Sequence, residues 1–89
     1  MPQRTVAIGS PLGLHARPAS LFVQAVNASG LPVTVAREDG APVDARSVLA
    51  VMALGAKHEE TVTLAVEDSA TADKVLDELV ELLAADLDA

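Results

Sequence analysis

The sequence predicts an α+β fold of two layers, an open-faced sandwich in which three helices cover one face of a four-stranded antiparallel sheet. Residues 60–67 alternate between apolar and small or polar side chains, as in a strand with one covered face. Residues 16–28 and 70–85 repeat apolar side chains at helical spacing. The predicted elements follow one another in the order β-α-β-β-α-β-α, with no linker or internal repeat between them.

Four strands are predicted, at residues 3–8, 32–37, 41–44 and 60–67. In the last of them Val62, Leu64 and Val66 should face the core, because alternate side chains of a strand point to the same side. Between the second and third strands, residues 38–40 read Glu-Asp-Gly, and Asp-Gly is a strong turn signal. These two strands should therefore form a hairpin.

The first helix is predicted over residues 16–28, and its start is marked by Pro18. Proline is tolerated in the first turn of a helix but not in its interior, so the helix begins at or next to His15. Gly30 is suited to end it.

Two further helices are predicted from their caps and apolar spacing. The second is short, at residues 48–54, with Ser47 as its N-cap. The third covers residues 70–85 with an apolar stripe on one side and charged residues on the other, and Asp68 or Ser69 should cap it.

The 89 residues carry a formal net charge of −7, include no cysteine, and have Phe22 as their only aromatic residue. This length predicts one domain, residues 1–89, with a core of small aliphatic side chains. Disulfides and thiolate metal sites are excluded because there is no cysteine. The N-terminal apolar run is too short and interrupted for a signal peptide, and no apolar run reaches membrane-spanning length. We therefore expect a soluble, cytoplasmic protein with no direct membrane insertion.

The charges are divided unequally along the chain. Residues 1–37 contain three arginines and no carboxylate, a charge of +3, whereas residues 38–89 contain three cations and all thirteen acids, a charge of −10. Nucleic-acid binding is not expected, since the chain has no cluster of basic residues and only one aromatic side chain that could stack on a base.

The most unusual local sequence is Gly-Leu-His-Ala-Arg-Pro-Ala at residues 13–19. If the helix starts here, the N–H groups of Ala16 and Arg17 project around His15 without helical partners. An anion at the imidazole would meet these donors, the helix dipole and the Arg17 guanidinium. The same surroundings disfavour a protonated ring, which leaves a nitrogen free to act as a nucleophile.

A single histidine before a helix is often only a solvated turn residue. The absence of any acid in residues 1–37 favours anion binding over this simpler interpretation. His58, the other histidine, is interpreted as an exposed loop residue. It has neither a second histidine at helical spacing nor a cysteine near it, so neither a metal site nor a cofactor is expected.

Residues 13–19 resemble the phosphorylation-site motif of the HPr family, the histidine-containing phosphocarriers of the bacterial phosphoenolpyruvate-dependent sugar phosphotransferase system. Residues 44–55, Asp-Ala-Arg-Ser-Val-Leu-Ala-Val-Met-Ala-Leu-Gly, resemble that family's regulatory-serine segment. The separation of the two motifs, the order of elements and the total length are also similar, so the resemblance extends over essentially the whole chain.

The resemblance implies that His15 accepts a phosphoryl group on Nδ1 from a phosphohistidine of enzyme I and passes it to a histidine on the IIA component of a sugar permease. It also implies that Arg17 neutralises the phosphoryl oxygens, with the Ala16 and Arg17 N–H groups as fixed donors and Pro18 setting the helix start. Such a protein would be a monomeric carrier that forms a phosphohistidine, and not a self-contained enzyme.

For Ser47 the resemblance implies phosphorylation by an HPr kinase/phosphorylase, although a role as N-cap alone is also sufficient for a serine at this position. Leu49 and Met52 are core residues by default, but matching positions in the family form an exposed apolar patch that docks partners. Arg46 stands where the family usually has lysine, and it is expected beside that patch.

Leu12 departs from the family, since many members have a small polar residue there. Two alternatives to a sugar-system carrier stay open from the sequence. One is a regulatory HPr-like protein that acts through Ser47 on a transcription regulator or enzyme, and the other is a carrier of the parallel nitrogen-related phosphotransfer branch. The presence of His15 argues against the first.

Overall fold

The order of strands and helices is the predicted one, and the α+β fold class is confirmed. The structure, a computed structural model, describes residues 1–85. Within them lie four strands, β1 (Gln3–Ala7), β2 (Thr34–Arg37), β3 (Val43–Asp44) and β4 (Thr61–Ala65), and three helices, α1 (Ala16–Ser29), α2 (Val48–Leu54) and α3 (Ala72–Ala84). The predicted bounds therefore differ from the observed ones by two residues or fewer at every end.

The strands form one antiparallel sheet in the order β1-β4-β2-β3. The central strand is β4, in which Val62 pairs with Val6 of β1 on one side and with Arg37 of β2 on the other. Its alternation is as predicted, because Val62 and Leu64 are fully buried whereas Thr63 between them is partly exposed. This register turns the apolar side chains of the sheet toward the helices.

The predicted hairpin joins β2 and β3. Its turn is closed by the Gly40 N–H, which donates to the Arg37 carbonyl at 3.0 Å. The strand after the turn is shorter than predicted and begins at Val43. The physical reason is Pro42, which has no N–H to contribute to the hydrogen-bond ladder.

Buried side chains from all three helices and from the sheet form one hydrophobic cluster. Phe22 of α1 is its largest fully buried member, and Leu76 of α3 is also fully buried. The first turn of α1 is anchored on both sides of His15, because Leu14 and Ala19 belong to this cluster. The position of His15 is therefore determined by core packing although its own side chain is exposed.

The prediction that Asp68 or Ser69 caps α3 is wrong. The N-cap is Thr71, and no side chain makes the capping hydrogen bond. A turn comes first, in which the Ala72 N–H donates to the Ser69 carbonyl at 3.3 Å, so the helix starts beyond these residues. The longest helix is α1, with 14 residues, and among residues 1–85 no helix combines the length and apolar character needed to cross a membrane.

Candidate functional site

The loop between β1 and α1 brings the chain to His15 through two successive tight turns. The Gly13 N–H donates to the Ser10 carbonyl at 2.9 Å, and the His15 N–H donates to the Gly13 carbonyl at 2.8 Å. The loop is joined to the segment after α2 as well, where the Leu14 N–H donates to the Ala56 carbonyl at 2.8 Å. These bonds give the loop a defined shape where it reaches the helix.

Gly13 is required in this loop for two independent reasons. Its φ of 74° lies in the left-handed region, which side chains disfavour. A Cβ atom at this position would also lie 2.4 Å from the Ala56 carbonyl oxygen and 2.8 Å from the Lys57 Cα. The loop therefore presses backbone to backbone against the segment that follows α2, and only glycine permits this contact.

The first turn of α1 keeps its backbone donors open. His15 is the N-cap, as predicted, and its side chain makes no capping hydrogen bond. The N–H groups of Ala16 and Arg17 have no acceptor within the helix, and Pro18 has no N–H at all. The first regular helical bond follows, from the Ala19 N–H to the His15 carbonyl at 2.9 Å. Two open donors thus lie next to the imidazole.

The side chains around this helix end favour an anion. His15 and Arg17 are both exposed, and the first turn of α1 contains no acidic residue. Arg4, Arg37 and Arg46 all pair with carboxylates, but within residues 1–85 no carboxylate pairs with Arg17. A phosphoryl group on the ring would therefore meet the two open N–H donors, the positive helix end and an uncommitted guanidinium.

His15 lines neither of two surface concavities, of about 350 and 450 Å³, found among the described residues. One lies beside the Arg37–Glu60 ion pair and the other between α1 and α3. In the part of the chain that the structure describes, no three His, Cys, Asp or Glu side chains are grouped so that they could hold a metal ion. The exposed imidazole is accessible to a second macromolecule.

Ser47 lies at the start of α2 as the predicted N-cap. Its Oγ accepts a hydrogen bond from the Ala50 N–H at 3.2 Å, so the structural role of this serine is confirmed. Immediately before it, Asp44 accepts hydrogen bonds from the backbone N–H, Nε and Nη2 of Arg46 at 2.9, 3.0 and 3.1 Å. The Arg46 side chain, followed by its backbone N–H, lowers the pKa of the Asp44 carboxyl below its usual value.

The two candidate docking residues of α2 differ in exposure. Leu49 is 80% exposed, so the default interpretation of it as a core residue is wrong. Met52, one turn later, is partly buried and packs against the core cluster. Leu12, in the loop before His15, is 72% exposed. Among the described residues, Leu49 and Leu12 therefore present large apolar side chains to the surface, whereas Met52 does so only in part.

The interpretation of His58 as an exposed loop residue is incomplete. Its side chain is 45% exposed, but Nδ1 lies 3.1 Å from the Ser10 carbonyl oxygen, inside the loop that leads to His15. The two residues are 48 positions apart, so no local spacing could have predicted the contact. Their proximity follows from the antiparallel pairing of β1 with β4. This pairing brings the loop after β1 and the loop before β4 to the same end of the sheet.

Comparisons with known proteins agree with this geometry. A family model described as PTS HPr component phosphorylation site matches residues 2–85. The phosphocarrier protein HPr of Streptomyces coelicolor is 49% identical over 88 residues, which cover 99% of this chain and 94% of the relative. The crystal structure of HPr from Bacillus anthracis superposes with a TM-score of 0.84 at 32% identity and covers 92% of this chain and 95% of that one.

An HPr-like relative is less similar than the phosphocarrier of Streptomyces coelicolor. The HPr-like protein Crh of Halalkalibacterium halodurans is 36% identical over 67 residues, which cover 75% of this chain and 79% of the relative. The matching family model and the phosphocarrier relative both describe proteins that carry a phosphoryl group. This agrees with the open, anion-favouring helix end at His15. The chain belongs to the HPr family, the phosphocarrier proteins of the phosphotransferase system.

Proposed function

We propose that His15 is the residue of this phosphocarrier that accepts the phosphoryl group, from the phosphohistidine of enzyme I, and delivers it to a histidine of a IIA component. The observation that carries the proposal is the open first turn of α1 beside an exposed imidazole and an exposed Arg17 that pairs with no carboxylate among residues 1–85. In the transfer, a nitrogen–phosphorus bond forms at His15 Nδ1 while that of the donor breaks. The electron pair of the broken bond returns to the donor ring.

The residues around His15 stabilise this phosphoryl group without promoting its hydrolysis. Arg17 and the N–H groups of Ala16 and Arg17 donate to the phosphoryl oxygens, while Pro18 sets the start of the helix. General base catalysis of water attack needs a carboxylate or similar group close to the phosphorus. The first turn of α1 has no acidic residue, which favours a carrier over a hydrolase.

The docking surface proposed for both partners consists of Leu49 and Met52, with Arg17 and Arg46 contributing positive charge. The 80% exposure of Leu49 supports this proposal, since a large apolar side chain this exposed is typical of an interaction site. Methionine adapts its shape to more than one partner. Partners should therefore present apolar side chains opposite Leu49 and Met52 and acidic ones opposite the arginines.

Ser47 is proposed as a regulatory phosphorylation site, as the family resemblance implies. Ser47 is partly exposed and its hydroxyl already accepts the Ala50 N–H, so a phosphate oxygen can keep this cap. The added charge would repel acidic partner surfaces and weaken docking. The protein is further proposed to act as a monomeric single domain in the cytoplasm, where its family works.

The test is phosphoryl transfer from enzyme I and labelled phosphoenolpyruvate to the purified protein. We expect an acid-labile, alkali-stable adduct on the wild type and none on His15→Ala. His58→Asn is the matched control, because it removes the other histidine but keeps a hydrogen-bond donor at the position of Nδ1, and it should still accept label.

Stable label on His15→Ala, with circular dichroism showing a folded protein, would contradict the assignment of His15. Transfer of the label onward to purified IIA components of the sugar and nitrogen-related branches distinguishes the two systems.

A further inference from the structure

We propose that His58 is a positioning residue for phosphoryl transfer, which holds the loop that carries His15 through a hydrogen bond to the Ser10 carbonyl. This inference rests on the proposed role of His15 as the phosphoryl acceptor. It assigns a role to the second histidine, which the site itself does not include.

The contact defines the protonation of the ring nitrogen that faces the loop. Nδ1 of His58 lies 3.1 Å from the Ser10 carbonyl oxygen, and a carbonyl only accepts hydrogen bonds, so Nδ1 carries a proton. Ser10 is 1% exposed, which makes its carbonyl region poorly accessible to solvent. A buried backbone acceptor that loses a protein partner has few replacements, so the bond from His58 contributes to the order of this loop.

The Ser10 carbonyl is a branching point between His58 and His15. It also accepts the Gly13 N–H at 2.9 Å, and the Gly13 carbonyl in turn accepts the His15 N–H at 2.8 Å. The His58 ring and the His15 backbone are thus joined by three consecutive hydrogen bonds. A change in the orientation of the Ser10 peptide alters the turn from which the His15 backbone leaves.

The segment that carries His58 is well placed to support the loop, because its own backbone is held at several points. The Glu59 N–H donates to the Ile8 carbonyl at 2.8 Å. Glu59 has a φ of 66°, in the left-handed region that forms a tight turn. The Glu60 carboxylate accepts the Lys57 N–H at 3.0 Å and pairs with Arg37. These bonds, first that to Lys57 and then that to Arg37, lower the pKa of the Glu60 carboxyl. His58 therefore projects from a braced turn.

The expected consequence of losing the bond is a slower transfer step with unchanged docking. Phosphoryl transfer needs the imidazole nitrogen in line with the donor bond, and small displacements reduce its rate. The docking residues Leu49 and Met52 lie on α2 and have no part in this chain of hydrogen bonds. A loss of loop order should thus lower kcat and leave KM nearly unchanged.

Two substitutions separate the hydrogen bond from the shape of the side chain. His58→Leu removes the donor, whereas His58→Asn keeps an N–H donor at the position of Nδ1. We expect His58→Leu to lower kcat for transfer from phospho-enzyme I by about 3- to 10-fold, with KM within about twofold, and His58→Asn to stay within about twofold of the wild type. Glu59→Gln, which removes the carboxylate 3.4 Å from Nε2, should leave both values unchanged.

Amide hydrogen exchange at Gly13 provides a readout that does not depend on phosphoryl transfer. Exchange there should be faster in His58→Leu than in the wild type and be restored in His58→Asn. Equal effects of Leu and Asn on kcat, an increase in KM alone, or unchanged exchange at Gly13 would overturn the role of His58. Failure of the wild type to accept label, with exchange responding as expected, would overturn the proposed role of His15 instead.

Discussion

The first turns of α1 and α2 differ in whether a side chain caps their backbone donors. At α2, the Ser47 hydroxyl accepts the Ala50 N–H, and the preceding Arg46 is held by Asp44. At α1, the N-cap residue His15 makes no side-chain cap. A capped helix end contributes stability, whereas an uncapped one keeps its donors free for an external anion. The α2 end is thus stabilised by its own cap, whereas the α1 end keeps its donors for the phosphoryl group that we propose it binds.

The arginines beside these helix ends differ in the same way. Arg46 lies within 3.0 Å of the Asp44 carboxylate, which neutralises part of its charge. In the part of the chain that the structure describes, Arg17 has no such partner, and its guanidinium can turn toward a phosphoryl group. Charge that is already paired within the protein is less available to a ligand. Variants of the two arginines and of the two caps can therefore test whether this contrast has functional meaning.

The largest effect is expected for Arg17→Ala, which should slow phosphoryl transfer to His15 by about tenfold or more, because a donor to the charged phosphoryl oxygens is lost. Arg46→Ala removes the same charge from the other helix end and should change transfer by only about two- to threefold, mainly through KM. Rapid-quench measurement of labelled protein at several concentrations separates the two parameters.

Arg17→Lys is the control for charge alone, since lysine keeps the positive charge but lacks the planar fork of donors. Equal slowing by Arg17→Ala and Arg46→Ala would contradict the contrast between the free and the paired arginine.

An intermediate effect is expected when the caps are changed. Ser47→Ala should lower the free energy of unfolding by about 1 kcal/mol, because the Ala50 N–H loses its acceptor. His15→Asn should raise it by about 0.5–1 kcal/mol by introducing a cap, while phosphoryl acceptance is lost. Urea denaturation with unchanged m-values would measure both changes.

We expect that the missing side-chain cap at His15 lowers the stability of the fold. A His15→Asn variant that is less stable than the wild type would contradict this. A double variant should show additive changes, since the two caps share no hydrogen bond.

The smallest effect is expected on the stability of the fold at acidic pH. The pKa of Asp44 is lowered from the usual value of 3.8 by its bonds to Arg46, so its pairing stabilises the fold above this pH and is lost as the pH falls through the lowered pKa. The difference in melting temperature between the wild type and Asp44→Asn should be small and positive near neutral pH, since the pair is half-exposed. It should shrink below about pH 4 in a series of melting curves.

A melting-temperature difference that stays constant throughout the acid range would contradict this assignment of the pKa shift to the Arg46 pair. No corresponding change is expected at the α1 terminus, where the first turn contains no carboxylate.

Local sequence by itself determined the elements and the position of the candidate site. Alternation placed Val62 and Leu64 in the core, and Pro18 placed the helix start at His15, because side-chain periodicity and proline sterics act over only a few residues. The resemblance of residues 13–19 and 44–55 to the HPr family added an expected function to this predicted fold and site. Leu49 shows the limit of such rules, since helical spacing cannot distinguish a side chain that packs from one left exposed.

Only the tertiary structure decided which distant groups meet. The contact of His58 with Ser10 and the close approach of Gly13 to Ala56 depend on how loops and helices are arranged around the sheet. The N-cap of α3 at Thr71 is a local feature that was nevertheless missed, because propensities alone do not predict the turn that precedes it. Contacts between residues far apart in the chain are formed by core packing and strand pairing, and local preference carries no information about them.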